Sequence, residues 1–392
     1  MTEVEDAVTA AHRSDWGRIV AGLIRRTGDW MLAEDATQDA FTSALVHWPR
    51  DGVPDRPAAW LTTAARNRAV DRMRSLSAER SRLREALVEF ESSDGQDIED
   101  DRLRLIFTCC HPALPLAARV ALTLRTVSGL EVADIARAFL VPETTMAQRL
   151  TRARRKIEHA GIPYRIPPAE SLDERLNGVL VVLYLAFNAG YSDIGLNELS
   201  QSAVALAEAV VALMPLESEA RGLLALMLVQ SSRRYARVTS SGELLTLEEQ
   251  DRGLWIRAEI ERGGAILMST RGRGPYVLQA LIAQCHAEAA SAASTDWVRI
   301  VELYDELESL SSSPIVALNR AIAVGMRDGP EAGLALIDGL AGELGGLHLV
   351  PAAQADLLRR AGRLADAEKR YQQAIELAPT EEERAQLRRR LV

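Results

Sequence analysis

Cysteine is scarce in this chain, with three residues among 392. So few thiols exclude a disulfide-stabilised scaffold and indicate a reducing compartment. Aromatic residues make up only 5% of the chain, and the abundance of Ala and Leu favours helices over β-sandwiches and barrels. No apolar run approaches the roughly 20 residues of a membrane span. The longest candidate covers residues 179–187.

Basic residues are outnumbered by acidic ones, with 46 Lys and Arg against 55 Asp and Glu, which gives a net charge of -9. This balance excludes a uniformly basic nucleic-acid binder, but it leaves room for local basic helices. The first residues, MTEVEDAV, are acidic and lack the basic start and the apolar stretch of a signal peptide. We therefore expect a soluble, cytoplasmic protein that does not associate with a membrane.

Apolar residues recur at helical spacing nearly throughout the chain, and no segment alternates as a strand would. The sequence therefore predicts an all-α fold. Residues 49–57 hold three prolines and a glycine and predict a loop. Residues 91–101 carry six acids and no base, and residues 161–168 hold three prolines. The predicted organisation is a small helical domain over 1–80, a flexible acidic linker over 81–101, a second small helical domain over 102–160, and a larger helical domain over 161–392.

Two amphipathic segments follow one another between residues 127 and 157 and are joined by a short connection at 139–142. Two helices joined by a short turn are typical of a helix-turn-helix. In that motif, side chains near the start of the second helix reach base edges, and later arginines engage phosphates. The alternative is a solvated basic helix of an ordinary bundle. The candidate DNA-binding residues on this helix are Thr144, Thr145, Gln148, Arg149, Arg152 and Arg155.

A second basic helix is predicted from residue 58, with the sequence AAWLTTAARNRAVDRMRS. Its aromatic and amide side chains lie among cations, a combination that suits stacking on unpaired bases and clamping of their backbone. In the alternative interpretation, Trp60 and Leu61 are core residues and the arginines only solubilise the surface. The candidate DNA-binding residues on this helix are Trp60, Asn67, Arg68 and Arg72.

An acidic, polar face is predicted on the helix AEDATQDAFTSAL, residues 33–45. Asp35, Gln38 and Asp39 share this face by their three- and four-residue spacings, whereas Phe41 and Leu45 are expected to point inward. Such a face is suited to a basic protein partner rather than to DNA. The alternative is an ordinary solvated helix face.

In this order, EDATQDAF, the segment beginning PAAWLTTAARNR, and MAQRLTRARRKI resemble the extracytoplasmic-function group of bacterial sigma factors, which belongs to the sigma-70 family. The resemblance covers roughly residues 1–160. Later stretches, including CCHPALP, LYLAFNAGY and GPYVLQALIAQCHAEA, resemble the subgroup with a TPR-like C-terminal extension. The stretch LYLAFNAGY has Ala189 where glutamate is more usual in that subgroup.

The resemblance implies an alternative sigma factor that binds core RNA polymerase, through its β′ clamp and β subunits, and directs promoter-specific transcription initiation. It implies that Asp35, Gln38 and Asp39 bind the β′ clamp. The helix from residue 58 would open and hold the minus-ten element, and the second helix of the helix-turn-helix would read the minus-thirty-five element. It implies no enzyme activity, catalytic residue, metal or cofactor.

The C-terminal block carries the small–aromatic–small–proline pattern of second TPR helices. Ala367, Tyr371, Ala374 and Pro379 follow this pattern, and Gly362 marks the preceding turn. Such helix pairs must stack to bury their faces, so we expect a TPR-like solenoid whose concave face binds a protein or peptide. The alternative is a helical bundle with accidental periodicity. Weaker copies of the pattern lie at Ala203, Ala207, Val210 and Pro215, and at Ala332, Leu336 and Gly339.

Cys109, Cys110 and His111 do not make a convincing zinc site, because adjacent cysteines give poor tetrahedral geometry; we expect buried structural residues. Two functions compete with a sigma factor whose activity is controlled by its extension. One is a one-component DNA-binding transcription regulator with a helical ligand- or protein-sensing domain, and the other is a TPR scaffold. The acidic face and the helix from residue 58 favour the sigma factor, since a repressor needs neither.

Overall fold

The computed structural model of the chain describes residues 3–76, 95–139, 141–192, 197–239, 243–340, 344 and 346–391. These residues are helical nearly throughout, which confirms the predicted all-α fold. The chain divides into two compact units, Met1–Pro215 and Leu216–Val392. None of the helices within the described ranges is both long and apolar enough to span a bilayer.

The first unit contains nine α-helices in its described part. They are α1 (Glu3–Thr27), α2 (Trp30–Asp51), α3 (Pro57–Leu76), α4 (Gly95–Cys109), α5 (Leu116–Leu122), α6 (Val132–Ala138), α7 (Glu143–His159), α8 (Ala169–Ser192) and α9 (Asn197–Leu213). A π-helical segment, Thr123–Val127, continues directly from α5.

Helix α2 is longer than the sequence predicts, because it runs through Pro49 to Asp51. Its buried stripe ends at Trp48, which is 2% exposed, and the Trp48 carbonyl accepts a hydrogen bond from Gly52 N–H at 3.0 Å. Gly52 has φ +82°, a left-handed conformation that favours glycine and ends the helix there. The expectation that Leu45 points inward is wrong, since this stripe leaves Leu45 on the outer face, 48% exposed.

The last part of the predicted flexible acidic linker, 81–101, is helical in the structure. Residues 77–94 lie outside the described residues, but residues 95–101 form the first turns of α4. Asp101 is buried and pairs with Arg25 at 2.7 Å and with Arg104 at 2.9 Å. Burial raises the pKa of Asp101, although the two neighbouring arginines oppose that shift. The end of the acidic run is therefore ordered, because its last carboxylate is neutralised by two guanidinium groups.

Helix α1 packs directly against the π-helical segment. A Cβ atom on Gly17 would lie 2.4 Å from the Val127 carbonyl oxygen, so only glycine allows this approach. The Trp16 indole N–H donates to the carbonyl of Thr126 at 3.2 Å. Gly129, at φ +74°, comes so close to Trp16 that a Cβ atom there would lie 2.6 Å from the indole ring. The segments before and after residues 77–94 thus form one packed body.

Helices α8 and α9 complete the first unit, so the structure places its boundary after Pro215 rather than after residue 160. Helix α8 contacts α4 and α5, and its residues Val179, Leu183 and Phe187 are fully buried. Arg175 of α8 donates to the carbonyl of Phe107 in α4 at 2.6 Å. The apolar face of α8 therefore belongs to the core of the first unit.

Tyr164, in the proline-rich connection before α8, ties that connection to the same core. Its hydroxyl oxygen lies 3.0 Å from the carbonyl oxygen of Ala21 and 3.1 Å from that of Asp101. Burial raises the pKa of the Tyr164 hydroxyl. The hydroxyl therefore remains protonated and can donate to these carbonyl groups.

The second unit is also helical in its described part. Its helices are α10 (Ser218–Ser231), α11 (Arg257–Met268), α12 (Pro275–Glu288), α13 (Trp297–Leu310), α14 (Pro314–Asp328), α15 (Pro330–Leu340), α16 (Leu349–Arg360), α17 (Leu364–Leu377) and α18 (Glu381–Arg390).

The TPR pattern fits the pair α16 and α17 best. Ala367, Tyr371 and Ala374 are buried, and Gly362 takes φ +74° in the turn between the two helices. The partial copy in α15 fits poorly: Leu336 is exposed, and Ile337 takes the buried position instead. The TPR-like interpretation of the whole extension stays a prediction.

Candidate nucleic-acid interface

Helices α6 and α7 form the two-helix arrangement that the sequence predicts between residues 127 and 157. They pack against each other and are joined by a connection at 139–142. Helix α7 buries one apolar stripe and leaves the polar side chains of its first half outward. The residues of this stripe are Met146, Leu150, Ala153 and Ile157.

All six predicted DNA-binding residues of α7 reach the surface. Thr144, Gln148, Arg152 and Arg155 are exposed, and Thr145 and Arg149 are half-buried. The Arg149 guanidinium lies over the ring of Phe139, 5.5 Å from its centroid. This stacking holds one cation beside the start of the helix, where base edges would be met.

The predicted DNA-binding residues of α3 divide between surface and core. Asn67 and Arg68 are exposed. Trp60 is half-buried and packs edge-on against Trp48, with ring centroids 5.6 Å apart, while Leu61 is fully buried. The core interpretation is therefore right for Leu61, whereas Trp60 contributes to the core and still reaches the surface.

Arg72 of α3 joins the predicted acidic face of α2. It donates to Asp35 at 2.8 Å and to Asp39 at 2.9 Å, and Gln38 is exposed on the same helix. The side chains of Arg72, Asp35 and Asp39 are 40%, 52% and 41% exposed. Pairs this exposed contribute only about 0–1 kcal/mol to stability, so a partner can replace them at little energetic cost.

Glu34 is a buried residue that joins several segments of the first unit, and the sequence analysis does not predict this role. It is 4% exposed, although it directly precedes the exposed Asp35. Both of its carboxylate oxygens accept from Arg154 of α7 at 2.8 Å. Arg125 donates to it at 3.3 Å, and the Thr126 hydroxyl donates at 2.8 Å.

These contacts join α2 to the second helix of the predicted DNA-binding motif. A buried carboxylate is costly unless it is paired and hydrogen-bonded, and here two guanidinium groups and a hydroxyl satisfy it. The helical spacing of Glu34, Thr37 and Phe41 could have placed the glutamate on the inward face. Its partners lie about 90 to 120 residues away, and no local pattern identifies them.

Cys109 and Cys110 are buried in the first unit. Burial raises the pKa of the Cys109 thiol, and it raises that of Cys110 to about 11. The Cys110 sulfur lies 3.5 Å from the Thr123 hydroxyl. Within the described residues, no three His, Cys, Asp or Glu side chains are grouped so that they could hold a metal ion. The two cysteines are core residues.

Comparison with known protein families agrees with the order of these elements. The family model for sigma-70 region 2 matches residues 14–79, and that for sigma-70 region 4 matches residues 104–157. The first range contains α2 and α3, and the second contains α6 and all but the last two residues of α7. The chain belongs to the extracytoplasmic-function group of sigma-70 factors.

The relatives of this sigma factor differ in how much of it they cover. A probable extracytoplasmic-function RNA polymerase sigma factor, SigI of Mycobacterium tuberculosis, is 31% identical over 173 residues, which is 42% of this chain and 59% of SigI. An uncharacterized protein of Rhizobium meliloti is 42% identical over 389 residues, which is 95% of this chain and 92% of that protein. Residues 175–271 match a family of unknown function, DUF6596. No solved structure matches the chain.

Membership in this family implies binding to core RNA polymerase and to promoter DNA. Sigma factors are not an enzyme family. We define region 2 as residues 14–79, region 4 as residues 104–157, and the extension as residues 161–392.

Neighbouring carboxylates in α2 provide a matched test of the buried contact. We expect Glu34→Gln to lower the free energy of unfolding of the first unit by about 3–5 kcal/mol, because it leaves the half-buried Arg154 without its counter-charge and leaves the buried Arg125 with only the exposed Glu131. The control Asp35→Asn removes an exposed charge and should cost less than about 1 kcal/mol. Urea unfolding followed by circular dichroism measures both. Equal, small losses would contradict the central role of Glu34.

Proposed function

We propose that this sigma factor binds the β′ clamp of core RNA polymerase through Asp35, Gln38 and Asp39, and the β subunit as well. Helix α3 opens and holds the minus-ten element, and the outer face of α7 reads the minus-thirty-five element. The extension sets the arrangement of region 2 and region 4, and its TPR-like part binds a protein or peptide. The protein acts in the cytoplasm, without a cofactor.

The observation that carries this proposal is the division of α7 into two sides. Arg154 turns inward to the buried Glu34 at 2.8 Å, whereas Thr144, Gln148 and Arg152 remain exposed. One arginine thus serves the protein interior, and the polar start of the helix stays available to bases. This division suits a helix that is anchored by its end and reads DNA with its beginning.

The acidic face and α3 favour a sigma factor over a one-component regulator. A repressor needs only the helix-turn-helix and has no use for an exposed acidic helix beside a second basic helix. In this chain Arg72 connects the two, at 2.8 and 2.9 Å from Asp35 and Asp39. The polymerase face and the minus-ten helix are therefore adjacent, as a factor that brings DNA to polymerase requires.

The contacts of α8 and α9 support control of sigma-factor activity by the extension. Helix α8 contacts α4 and α5, and α9 contacts α1, α4 and the π-helical segment. The two helices therefore touch both region 2 and region 4. Recognition of two separate promoter elements depends on the distance between the two basic helices, so an element that binds both regions can set that distance.

The polymerase-binding role predicts a selective defect. We expect the double change Asp35→Lys and Asp39→Lys to abolish binding to core polymerase, because it reverses the charge of the exposed face. The thermal melt followed by circular dichroism should barely move. The control pair Asp51→Lys and Asp55→Lys changes net charge equally and should leave binding intact. Loss of the fold in the first variant would make the face structural.

The DNA-reading role predicts weaker promoter binding in Arg149→Ala and Arg152→Ala. Loss of one good base contact should cost roughly 1–3 kcal/mol and relax sequence preference. Loss of a phosphate contact should instead weaken all sequences alike and reduce the salt dependence of binding. Titration of a promoter duplex at several salt concentrations separates the two cases. Unchanged affinity and salt dependence in both variants would remove α7 from the interface.

The role of the extension predicts that loosening α8 alters promoter activity. The double change Tyr164→Phe and Arg175→Met removes the polar contacts to Ala21, Asp101 and Phe107. The control Arg165→Met replaces a neighbouring exposed residue. In runoff transcription with core polymerase, higher activity than the control means restraint by the extension, and lower activity with an intact fold means support. Activity equal to that of the control would contradict the proposal that the extension regulates the sigma factor.

A further inference from the structure

A cleft of about 410 Å³ lies in the first unit, beside the acidic face of α2. Its floor is aromatic: the ring centroids of His12, Trp16 and Phe41 lie 5.0 to 6.0 Å from one another. Trp16 and Phe41 are buried, so they form a fixed apolar surface. A concave site of this size with an apolar floor can accept a small molecule.

Arg102 of α4 lines the same cleft. Its side chain is half-buried, and it makes no hydrogen bond or ion pair with any residue that the structure describes. Burial lowers the pKa of Arg102 and Arg18 lowers it further, whereas Asp15 raises it; the guanidinium stays charged at physiological pH. Asp15 is already paired with Arg18 at 3.3 Å, so one carboxylate serves two guanidinium groups. A cation withdrawn from water with only this shared counter-charge is costly, and a bound anion would be stabilised here.

The two carboxylates that line the cleft each have an arginine partner, although Arg125 is shared with Glu34. Glu131 pairs with Arg125 at 3.5 Å, and Asp134 pairs with Arg137. Among the described residues that line the cleft, Arg102 is thus the charged side chain that makes no ion pair of its own. Uncharged amides and hydroxyls also line the cleft: Thr9, Gln38, Thr42, Ser128, Gln201 and Ser202.

We propose that this cleft binds a small organic anion with a flat apolar body, of the aromatic carboxylate class. The carboxylate pairs with Arg102, and the ring packs on His12, Trp16 and Phe41. The walls come from region 2, region 4 and α9 of the extension. A ligand in the cleft therefore stabilises this arrangement of the three parts by mass action. This last consequence rests on the proposed function, whereas the binding itself does not.

A pair of matched compounds tests the site on the full chain. Isothermal titration calorimetry with 1-naphthoate should give one site, and the neutral isostere 1-naphthamide should bind at least about tenfold more weakly, because it lacks the charge that pairs with Arg102. Ala205→Phe, which narrows the cleft from α9, should weaken both compounds. Equal affinities for the two compounds, or no binding of either, would overturn the proposal.

Arg102→Gln tests the contribution of the Arg102 charge, because it replaces the guanidinium with a neutral amide. We expect about tenfold weaker binding of 1-naphthoate, unchanged binding of 1-naphthamide, and no change with the exposed control Arg165→Gln. The thermal melt of Arg102→Gln should be unchanged or higher, since no hydrogen bond or ion pair is lost and the repulsion from Arg18 is relieved; a lower melt would show a structural role and contradict the site. Without ligand, Arg102→Gln should retain core-polymerase binding, so failure of the ligand site remains distinguishable from failure of the proposed function.

Discussion

The buried carboxylate of Glu34 is the contact on which the arrangement of the first unit depends. A charge in a low-dielectric interior requires partners in fixed positions, and these come from the π-helical segment and from α7. Apolar packing alone would tolerate small shifts between the segments, whereas a carboxylate between two guanidinium groups does not. Around it, Gly17 allows α1 to approach Val127, and the Trp16 indole bonds to Thr126. Charge pairing and close backbone packing therefore act on the same interface.

Much of this architecture could be predicted from the sequence, because helical periodicity is local. The stripe of α7, the outward direction of its polar start, and the exposed face at Asp35 follow from residue spacing alone. The burial of Glu34 and of Asp101 could not be predicted in the same way, since each depends on arginines from distant segments. The acidic composition predicts a flexible linker up to residue 101, but composition alone cannot predict that Asp101 pairs with Arg25 and Arg104. The prediction for Leu45 is wrong because the alanine stripe of α2 turns that residue outward.

The extension begins at residue 161, but only its part after Pro215 packs as a unit separate from the sigma regions. The proline-rich connection at 161–168 suggests a boundary, yet α8 and α9 contribute their apolar faces to the first unit, which ends at Pro215. The family of unknown function covers residues 175–271 and so crosses that point. A segment shared between relatives is thus divided between two hydrophobic cores. A fragment that ends near residue 160 would uncover the parts of α4 and α5 that contact α8, whereas one that ends at Pro215 keeps the first core whole.

Arg72 gives the free protein a property that neither of its helices has alone. One guanidinium faces two carboxylates across α2 and α3, so one of the two negative charges on this part of the surface is neutralised from within. Under the roles proposed for these residues, a polymerase that engages Asp35 and Asp39 releases the cation for a DNA phosphate. Thermodynamic reciprocity then requires that DNA which takes Arg72 also frees the carboxylates for polymerase. The ion pair would thus act as an internal competitor. It lowers the affinity of the free sigma factor for non-promoter DNA, and it makes polymerase and DNA bind cooperatively.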